Sequence, residues 1–313
     1  MRIVVTGGAG FIGSHAVDRL AAAGHALLVL DDLSTGSLDN LRQAGAGVDF
    51  ARVDVCDQMS LARAVASFRP HAVLHLAAIA SVVRSVEDPR GTYAVNLTGT
   101  LHALEAARGA GVRRFVFASS AAVYGDEPSL PSREDDPLRP ASPYAAHKAA
   151  GELLCWAHRT AFGLETVPLR FFNVFGERQR PDNPYSGVMT LFLEALATRG
   201  IATIQGDGEQ TRDFIDVRDV ARATEVALVG SDPGPEPINV GRGEAVSIRR
   251  LYALVAAALG APDRPRFGTA RPGDVRHSRA SIEALRTRLG IEPVVPVAEG
   301  VARLAQLRLA AAR

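Results

Sequence analysis

The chain of 313 residues has few cysteines, which disulfide frameworks and thiolate metal centres require. It contains two cysteines, Cys56 and Cys155, which have neither the spacing of metal ligands nor the number for a disulfide framework. The formal net charge of +1 gives no electrostatic basis for binding nucleic acid or an anionic membrane. No apolar stretch approaches the roughly 20 residues of a membrane-spanning helix, and the N-terminal apolar run is too short for a signal peptide. These absences predict a cytoplasmic protein with reduced thiols, no metal, and neither nucleic acid nor membrane as a partner.

Apolar runs alternate with helical periodicity through the first half of the chain. The apolar runs are continuous, as expected of strands whose two faces are both covered by helices. The predicted strands are 2–6, 26–31, 49–53, 72–76, 113–119 and 164–170, and the predicted helices are 11–23, 58–68, 91–110 and 142–162. Strand and helix repeated in this order predict an α/β fold with a doubly wound parallel sheet of the Rossmann type.

The alternation of strand and helix breaks after about residue 171. Residues 176–184 are rich in Arg, Pro and Asn, which predicts a long loop before a helix at 187–199 and a short strand at 202–204. A helix at 217–229 and a strand at 237–240 return to the sheet, and two or three further helices follow. We therefore expect a Rossmann domain of residues 1–170 plus 211–240, and a smaller, discontinuous C-terminal lobe of residues 171–210 plus 241–313.

A glycine-rich turn directly follows the first predicted strand and opens the first predicted helix. Gly7, Gly10 and Gly13 permit a tight turn, close approach of the backbone to a phosphate, and close packing of helix on strand. The helix N-terminus then offers free N–H groups to a pyrophosphate, so the turn predicts a dinucleotide site. Asp31 ends the second strand about 20 residues later, where an acid accepts hydrogen bonds from the adenosine ribose and repels a 2′-phosphate. No arginine ends that strand, so the pattern favours NAD.

Tyr144 and Lys148 lie four residues apart on a predicted helix, so their side chains project from one face. A fixed ammonium beside a phenol favours the phenolate and lowers a pKa that is ordinarily about 10. A tyrosine can become a base near neutral pH in this way. The same spacing is common on solvated helix faces, and Ser120, which lies 24 residues before the tyrosine, could equally be a helix cap. Whether the pair is catalytic therefore has to be judged from the other motifs of the chain.

The motifs follow one another in a characteristic order. The glycine turn and Asp31 are followed by Leu76-Ala77-Ala78, Asn96, Ser119-Ser120, and then Tyr144 with Lys148. The C-terminal half adds the motifs LRFFNVFG at 169–176, GDGEQTRDF at 206–214, NVG at 239–241 and RPGDV at 271–275. In these residues the chain resembles the extended short-chain dehydrogenase/reductases, and among them the nucleotide-sugar 4-epimerases of the UDP-galactose 4-epimerase type. The resemblance runs essentially end to end.

The resemblance implies a role for each matching residue. Tyr144 is the general base, Lys148 is its electrostatic partner and binds the nicotinamide ribose, and Ser120 hydrogen-bonds the O4 of the sugar. Asn96 matches a helix residue that supports this set, with a satisfied polar side chain as the alternative. The implied cofactor is NAD, and the residues implied to bind it are Gly7, Gly10, Phe11, Ile12, Gly13, Asp31, Asp32, Ser34, Thr35, Gly36, Asp54, Val55, Leu76, Ala77, Ala78, Asn96, Tyr144, Lys148 and Val174. The residues implied to bind the UDP-sugar substrate are Ser120, Tyr144, Asn173, Arg180, Val188, Thr203, Gln205, Arg212, Arg271, Asp274 and Ser278.

The implied reaction is reversible inversion at C4 of a UDP-hexose through transient oxidation. Dehydratase relatives carry an Asp-Glu pair directly after the catalytic hydroxyl residue. Here Ala121 and Ala122 follow Ser120, so dehydration is disfavoured. Ser278 matches a tyrosine that limits the space around the sugar C2 in epimerases restricted to glucose and galactose. A small residue there predicts that UDP-GlcNAc and UDP-GalNAc are converted as well.

Two alternatives remain open. Residues 178–182 resemble a loop of UDP-glucuronate 4-epimerases, whose second arginine, here Arg180, meets the sugar carboxylate. Those enzymes usually have threonine at the position of Asn173, so UDP-glucuronate is the second candidate substrate. A non-catalytic sensor of NAD or sugar nucleotide is the other alternative, and the intact catalytic set argues against it. The resemblance also implies a homodimer in which the helices predicted at 91–110 and 142–162 form a four-helix bundle.

Overall fold

The computed structural model describes residues 1–126, 129–180, 187–270 and 275–311. The strands in these ranges are β1 (Arg2–Thr6), β2 (Ala26–Asp31), β3 (Val48–Arg52), β4 (Ala72–His75), β5 (Arg114–Ser120), β6 (Glu165–Phe171), β7 (Asn173–Phe175), β8 (Thr203–Gln205), β9 (Thr211–Arg212), β10 (Phe214–Asp216), β11 (Ile238–Val240), β12 (Val246–Ser247) and β13 (Arg266–Gly268). The helices are α1 (Phe11–Ala22), α2 (Gln58–Phe68), α3 (Val82–Glu87), α4 (Pro89–Tyr93), α5 (Gly99–Gly109), α6 (Pro143–Phe162), α7 (Val188–Arg199), α8 (Val217–Val229), α9 (Ile248–Leu259), α10 (Glu283–Leu289) and α11 (Val297–Ala311). None of the helices in these ranges is long and apolar enough to cross a membrane.

The main sheet is built from parallel strands. Within the described residues it has seven of them, in the order β3-β2-β1-β4-β5-β6-β11. The six strands predicted in the first half and the predicted return strand at 237–240 are confirmed, with ends that differ by at most one residue. The chain reverses its direction of winding between β1 and β4. A crevice opens there at the carboxyl ends of the strands, where ligands bind in this class of sheet.

Alternate residues of the central strand pack on opposite faces of the sheet. Ile3 and Val5 of β1 join an apolar core with residues of α1 and α8, whereas Val4 joins a core with residues of α2 and α5. The strands are therefore apolar at successive positions because both faces are covered by helices. This arrangement confirms the predicted doubly wound α/β fold.

Helices α7, α9 and α11 surround a separate apolar core, which contains Phe192, Tyr252 and Val301. Three strand pairs accompany it, β7 with β10, β8 with β13, and β9 with β12. The C-terminal segment contributes to two cores. Helix α11 belongs to the separate core, whereas Leu285 and Leu289 of α10 pack against the main sheet. The division into residues 1–170 plus 211–240 and residues 171–210 plus 241–313 stays a prediction.

The helix predicted at 91–110 is confirmed, but it is interrupted by a π turn. Helix α4 passes into a π-helical turn at Ala94–Thr98 before α5 begins. A π turn holds one residue more than an α turn, and here it places the buried Asn96 side chain against the backbone of Ile79. Gly99 then lies close to Val55, since a Cβ on this glycine would lie 2.7 Å from Val55 Cγ2. The periodicity also missed the short helix α3.

Candidate active site

The turn between β1 and α1 is shaped by backbone contacts that leave no room for side chains. Gly7 has a φ of +69°, and a Cβ there would lie 2.7 Å from the backbone N of Ala77. A Cβ on Gly13 would lie 2.2 Å from the carbonyl oxygen of Gly7. Gly10 is the N-cap of α1, and no side chain in the described ranges caps it. The N–H groups that begin at Phe11, together with the helix dipole, therefore form a cradle that fits a pyrophosphate.

The acidic turn after β2 is bound to this glycine turn. The Asp31 carboxylate accepts hydrogen bonds from the backbone N–H groups of Ala9, at 3.0 Å, and Leu33, at 2.8 Å. Burial raises the pKa of Asp31, and the two N–H donors act in the opposite direction. Asp32 accepts bonds from the N–H and the hydroxyl of Ser34, at 2.9 and 2.7 Å. Each oxygen of Asp31 retains a second lone pair, so the carboxylate can still accept a hydrogen bond from a ribose hydroxyl.

Two residues near the acidic turn were missed by the sequence analysis. The Asn40 side-chain amide donates to the carbonyl of Ala9 at 2.9 Å, and Arg52 Nε donates to the carbonyl of Asp32 at 3.1 Å. No arginine ends β2 itself, but Arg52 comes from β3, where it is the register partner of Asp31. Parallel pairing of these strands is the signal that could have found it. The predicted Gly36 lies here too, since its Cβ would be 2.9 Å from the carbonyl carbon of Ala9, and the predicted Thr35 is exposed beside it.

The loop after β4 is held against the glycine turn. The N–H of Leu76 donates to the carbonyl of Thr6 at 3.1 Å, which keeps Ala77 and Ala78 at the edge of the crevice. Asn96 Oδ1 accepts the N–H of Ile79 at 2.7 Å, and its Nδ2 donates to the carbonyl of Ile79 at 3.1 Å. The amide is therefore satisfied inside the protein. Asn96 shapes the loop that follows Ala78.

The loop after β3 is fixed beside the acidic turn. The N–H of Val53 donates to the carbonyl of Asp31 at 3.2 Å, and the predicted cofactor residues Asp54 and Val55 follow directly. Asp54 accepts the N–H of Cys56 at 2.8 Å. Val55 is buried. The structure thus brings the predicted cofactor residues of β1 to β4 to one edge of the sheet.

Helix α6 is held close against β5. Ser142 caps its first turn, and a Cβ on Gly151 would lie 2.5 Å from the ring of Phe117, so only a glycine allows this approach. Lys148 is almost fully buried, and its Nζ donates to the carbonyl of Ala118 at 2.8 Å. Ser120 is the last residue of β5.

The three predicted catalytic residues meet at the carboxyl end of β5. Lys148 Nζ lies 6.0 Å from the centre of the Tyr144 ring and 5.0 Å from that of Phe117. The hydroxyl of Ser120 is near enough to the phenol of Tyr144 to act on its pKa. Tyr144 is partly exposed, as expected of a group that must reach a substrate.

Burial dominates the electrostatics of this set. It lowers the pKa of Lys148 to about 8, although Cys155 and Glu152 act in the opposite direction. It also raises the pKa of Tyr144, and the hydroxyl of Ser120 opposes the rise. The expectation that Lys148 brings the phenol pKa below its ordinary value is therefore wrong for this structure. The phenol loses water, and the ammonium donates to a backbone carbonyl.

Two predicted substrate residues, Arg212 and Ser278, are neighbours through the carbonyl of Thr211. Arg212 is in β9, where its Nη1 donates to the carbonyl of Thr211 at 2.8 Å. The N–H of Ser278 donates to the same carbonyl at 3.1 Å, so Ser278 is a neighbour of Arg212. Asn173 is exposed at the start of β7, and its N–H donates to the carbonyl of Asp213 at 3.0 Å.

The other predicted substrate and cofactor residues are more widely spread. Val174 follows Asn173 in β7 and is partly buried, and Val188 begins α7. Thr203 and Gln205 are the ends of β8. Arg180 is exposed at the end of a described range. Arg271 and Asp274 lie outside the described residues.

Comparison with known proteins agrees with this geometry. The model of the NAD dependent epimerase/dehydratase family matches residues 3–241. The UDP-glucose 4-epimerase of Mycolicibacterium smegmatis is 45% identical over 306 residues, which cover 97% of each chain. The structure of the UDP-glucose 4-epimerase of Thermotoga maritima with UDP-glucose has a TM-score of 0.95 and 35% identity, and covers 100% of both chains. That of the Thermus thermophilus UDP-glucose 4-epimerase complex with NAD has a TM-score of 0.91 and 41% identity, and covers 99% of this chain and 100% of the other.

The chain belongs to the NAD dependent epimerase/dehydratase family. The prediction of an extended short-chain dehydrogenase/reductase is confirmed, as are the predictions of an NAD-dependent enzyme and of NAD as its cofactor. The glycine cradle and Asp31 are the parts of the structure that fit this cofactor. The individual site residues stay predictions, supported by the positions given above.

Proposed function

We propose that the protein is a 4-epimerase that interconverts UDP-glucose and UDP-galactose. The observation that carries this proposal is the meeting of Ser120, Tyr144 and Lys148 at the end of β5, at the same sheet edge as the glycine cradle. The relatives described above are UDP-glucose 4-epimerases. Ala121 and Ala122 follow Ser120, which favours epimerisation because alanine cannot transfer the protons that loss of water requires.

Each catalytic residue has a distinct task in this reaction. Tyr144 takes the proton from O4 of the hexose and returns it, and Ser120 hydrogen-bonds the same oxygen. The buried Lys148 ammonium favours the anionic form of the phenol. Bound NAD supplies reversible hydride acceptance at C4, so the reaction has no net redox change. Arg212 binds the diphosphate through its planar donor fork, and weak contacts to the hexose let both sugar faces be presented in one site.

The test is to incubate the purified protein with UDP-galactose and separate the products. We expect UDP-glucose from the wild type. The Tyr144→Phe variant should lose about 10²-fold or more in turnover while retaining NAD and UDP-sugar binding, because only the proton-transferring group is removed. A sensor would be indifferent to this substitution. An NAD-loaded wild type that leaves UDP-galactose unchanged would overturn the proposal.

We extend the proposal to UDP-GlcNAc and UDP-GalNAc. The support is the half-buried Ser278, whose backbone N–H binds the carbonyl of Thr211 next to Arg212 and whose side chain is smaller than a tyrosine. Ser278→Tyr should therefore abolish conversion of UDP-GalNAc and preserve that of UDP-galactose. A wild type that converts UDP-galactose but not UDP-GalNAc would contradict this extension.

UDP-glucuronate is the second candidate substrate. The loop before Arg180 is anchored, because Thr190 of α7 donates to Gln179 Oε1 at 2.8 Å and Arg178 binds α1. An exposed arginine held at this place suits a sugar carboxylate. Arg180→Ala should hardly change turnover of neutral sugars. Selective loss with UDP-glucuronate would make that sugar the preferred substrate.

We also propose a homodimer formed through α5 and α6. Large apolar side chains are exposed on these helices and on α4, among them Leu153 at 68%, Phe162 at 55% and Trp156 at 51%. Tyr93 of α4 and Leu101 of α5 are exposed as well. A contiguous apolar patch on adjacent helices is typical of a protein–protein interface. A second copy of this chain is the partner that the four-helix arrangement fits.

A further inference from the structure

A buried network of side chains joins the catalytic helix to three strands of the sheet. The Glu152 carboxylate accepts the hydroxyl of Ser119 on β5 at 2.5 Å. It also accepts two bonds from Arg170 on β6, from Nε at 2.9 Å and from Nη2 at 2.8 Å. Arg170 Nη1 donates to the Tyr124 hydroxyl at 2.9 Å, which donates to Asn239 Oδ1 on β11 at 2.6 Å. Arg170 and Asn239 belong to two of the sequence motifs, and the proposed chemistry uses neither.

Glu152 lies on the same face of α6 as the catalytic pair. Tyr144, Lys148 and Glu152 follow one another at intervals of four residues, so the carboxylate lies one turn beyond the ammonium. Burial lowers the pKa of Lys148 to about 8, and only Cys155 and Glu152 act to raise it. Burial raises the pKa of the Cys155 thiol, so that group is uncharged near neutral pH. Glu152 is therefore the anion that acts on the ammonium.

The other groups that face Lys148 add no negative charge near neutral pH. His75 of β4 is neutral, because burial lowers its pKa to about 3 and Lys148 acts in the same direction. Burial likewise lowers the pKa of His147 on α6 and raises that of Tyr144. From β5 the ammonium meets a carbonyl and an aromatic ring. Arg170 of β6 is positive and is bound to Glu152.

We propose that Glu152 is a positioning residue, whose carboxylate, held by Ser119 and Arg170, keeps the Lys148 side chain protonated beside Tyr144. Glu152 acts through Lys148 and is placed in contact with neither substrate nor cofactor. With a neutral group in its place, Lys148 loses its proton at a lower pH, and the phenolate loses its cationic neighbour. The kinetic consequence rests on the proposed epimerase function, whereas the electrostatic consequence does not.

The test compares Glu152→Gln, Glu152→Asp and Tyr124→Phe in the NAD-loaded protein. The measurement is the pH dependence of kcat/KM with UDP-galactose. Glu152→Gln should move the alkaline limb, where Lys148 deprotonates, down by about one pH unit. Glu152→Asp keeps the charge, and Tyr124→Phe damages the same network at its far end, so both should leave the limb in place. A common position of the limb in all three variants would reduce Glu152 to a structural residue and overturn the proposal.

A second readout needs no turnover. The chemical shift of the Lys148 Cε carbon in 13C-labelled protein, assigned by comparison with Lys148→Met, gives the pH at which Lys148 loses its proton. Glu152→Gln should lower that pH. An inactive wild type that still shows this shift overturns the epimerase function alone, and an active one without it overturns the role of Glu152. Should Glu152→Gln fail to fold, the paired variant Glu152→Gln with Arg170→Gln leaves no unpaired charge in the core and is compared with Arg170→Gln alone. These two proteins differ only in the Glu152 charge, so the alkaline limb should lie at lower pH in the paired variant.

Discussion

The guanidinium of Arg178 donates a 2.6 Å hydrogen bond to the carboxylate of Asp18, and this contact joins the loop after β7 to helix α1. Arg178 has a φ of +65°, a left-handed conformation that costs free energy for a residue other than glycine. Arg178 Nη1 and Asp18 Oδ1 are buried and find no further partner in the described part of the chain. This ion pair therefore helps to hold the loop that carries Arg180 against the helix of the cofactor site, together with the bond from His15 Nε2 to the carbonyl of Glu177.

Asp18→Asn tests this ion pair. We expect the free energy of unfolding to fall by about 1–3 kcal/mol, because a partly buried hydrogen bond between charged groups is lost. The KM for the UDP-sugar should rise more than kcat falls. Urea unfolding and steady-state kinetics measure the two effects. Glu225→Gln is the matched control, since it breaks the more exposed pair of α1 with Arg19 and should cost less than about 1 kcal/mol. Equal losses in the two variants would show that the contact is not special.

Gly13→Ala should prevent tight binding of NAD. The added Cβ would lie 2.2 Å from the carbonyl oxygen of Gly7, so α1 must move away from the turn that forms the cradle. We expect the Kd for NAD to rise by about tenfold or more, or roughly 1.4 kcal/mol. Fluorescence titration of the NAD-free protein measures it. Gly109→Ala in α5 is the control, because nothing lies within 4 Å of its Cβ. An unchanged Kd for Gly13→Ala would exclude the cradle as the pyrophosphate site.

Asp213 is a buried carboxylate that holds together the segments after β11 and before α10. It accepts the N–H groups of Arg242 at 2.7 Å, Gly243 at 2.9 Å and Ala280 at 2.9 Å. Burial raises its pKa to about 6, although these three donors act in the opposite direction. The segment that it fixes includes Ser278, which lies beside Arg212. Asp213 is therefore a structural support for the predicted substrate residues.

The raised pKa of Asp213 predicts a pH dependence of stability with a definite sign. The folded state binds this proton more tightly than the unfolded state, whose carboxyl titrates near 3.8. The stabilisation is therefore complete below pH 4 or so and is lost as the pH rises through about 6. About two pH units correspond to roughly 3 kcal/mol. The unfolding free energy of the wild type minus that of Asp213→Asn should fall across this window. A difference that stays flat or rises with pH would contradict the prediction.

Trp156→Glu should convert a dimer into monomers, because it places a charge at the centre of the apolar surface on α6. Light scattering coupled to size-exclusion chromatography measures the mass of each form. Leu307→Glu is the control, since Leu307 is exposed on α11, away from this surface, and should leave the mass unchanged. A wild type that elutes as a monomer at all concentrations would disprove the dimer.

The parts of the fold that could be predicted are those in which burial determines the pattern of apolar residues. Strands covered on both faces are apolar at successive positions, so β1 to β6 were found within one residue. The glycines of the cofactor turn were also visible, since Gly7 and Gly13 lie where no side chain fits. The cytoplasmic location and the domain division stay predictions, because no described residue tests them.

The features that could not be predicted depend on contacts between distant segments. In the π turn the Asn96 amide binds the backbone of Ile79, and Arg52 reaches the acidic turn through the register of β3. The direction of the Tyr144 pKa depends on how much water the fold removes from the phenol. Helical spacing gives the proximity of Lys148 but not its hydrogen bond to Ala118.

The bond between Asp31 and the N–H of Ala9 has a consequence for how cofactor preference can change. The carboxylate that is predicted to bind the ribose also holds the glycine turn in shape. Replacing Asp31 to admit a 2′-phosphate therefore also releases the backbone of the cradle, even though Arg52 already supplies a cation nearby. Cofactor selectivity and the shape of the glycine turn therefore depend on the same residue. A lineage that switched to NADP would have to rebuild the turn along with the acid.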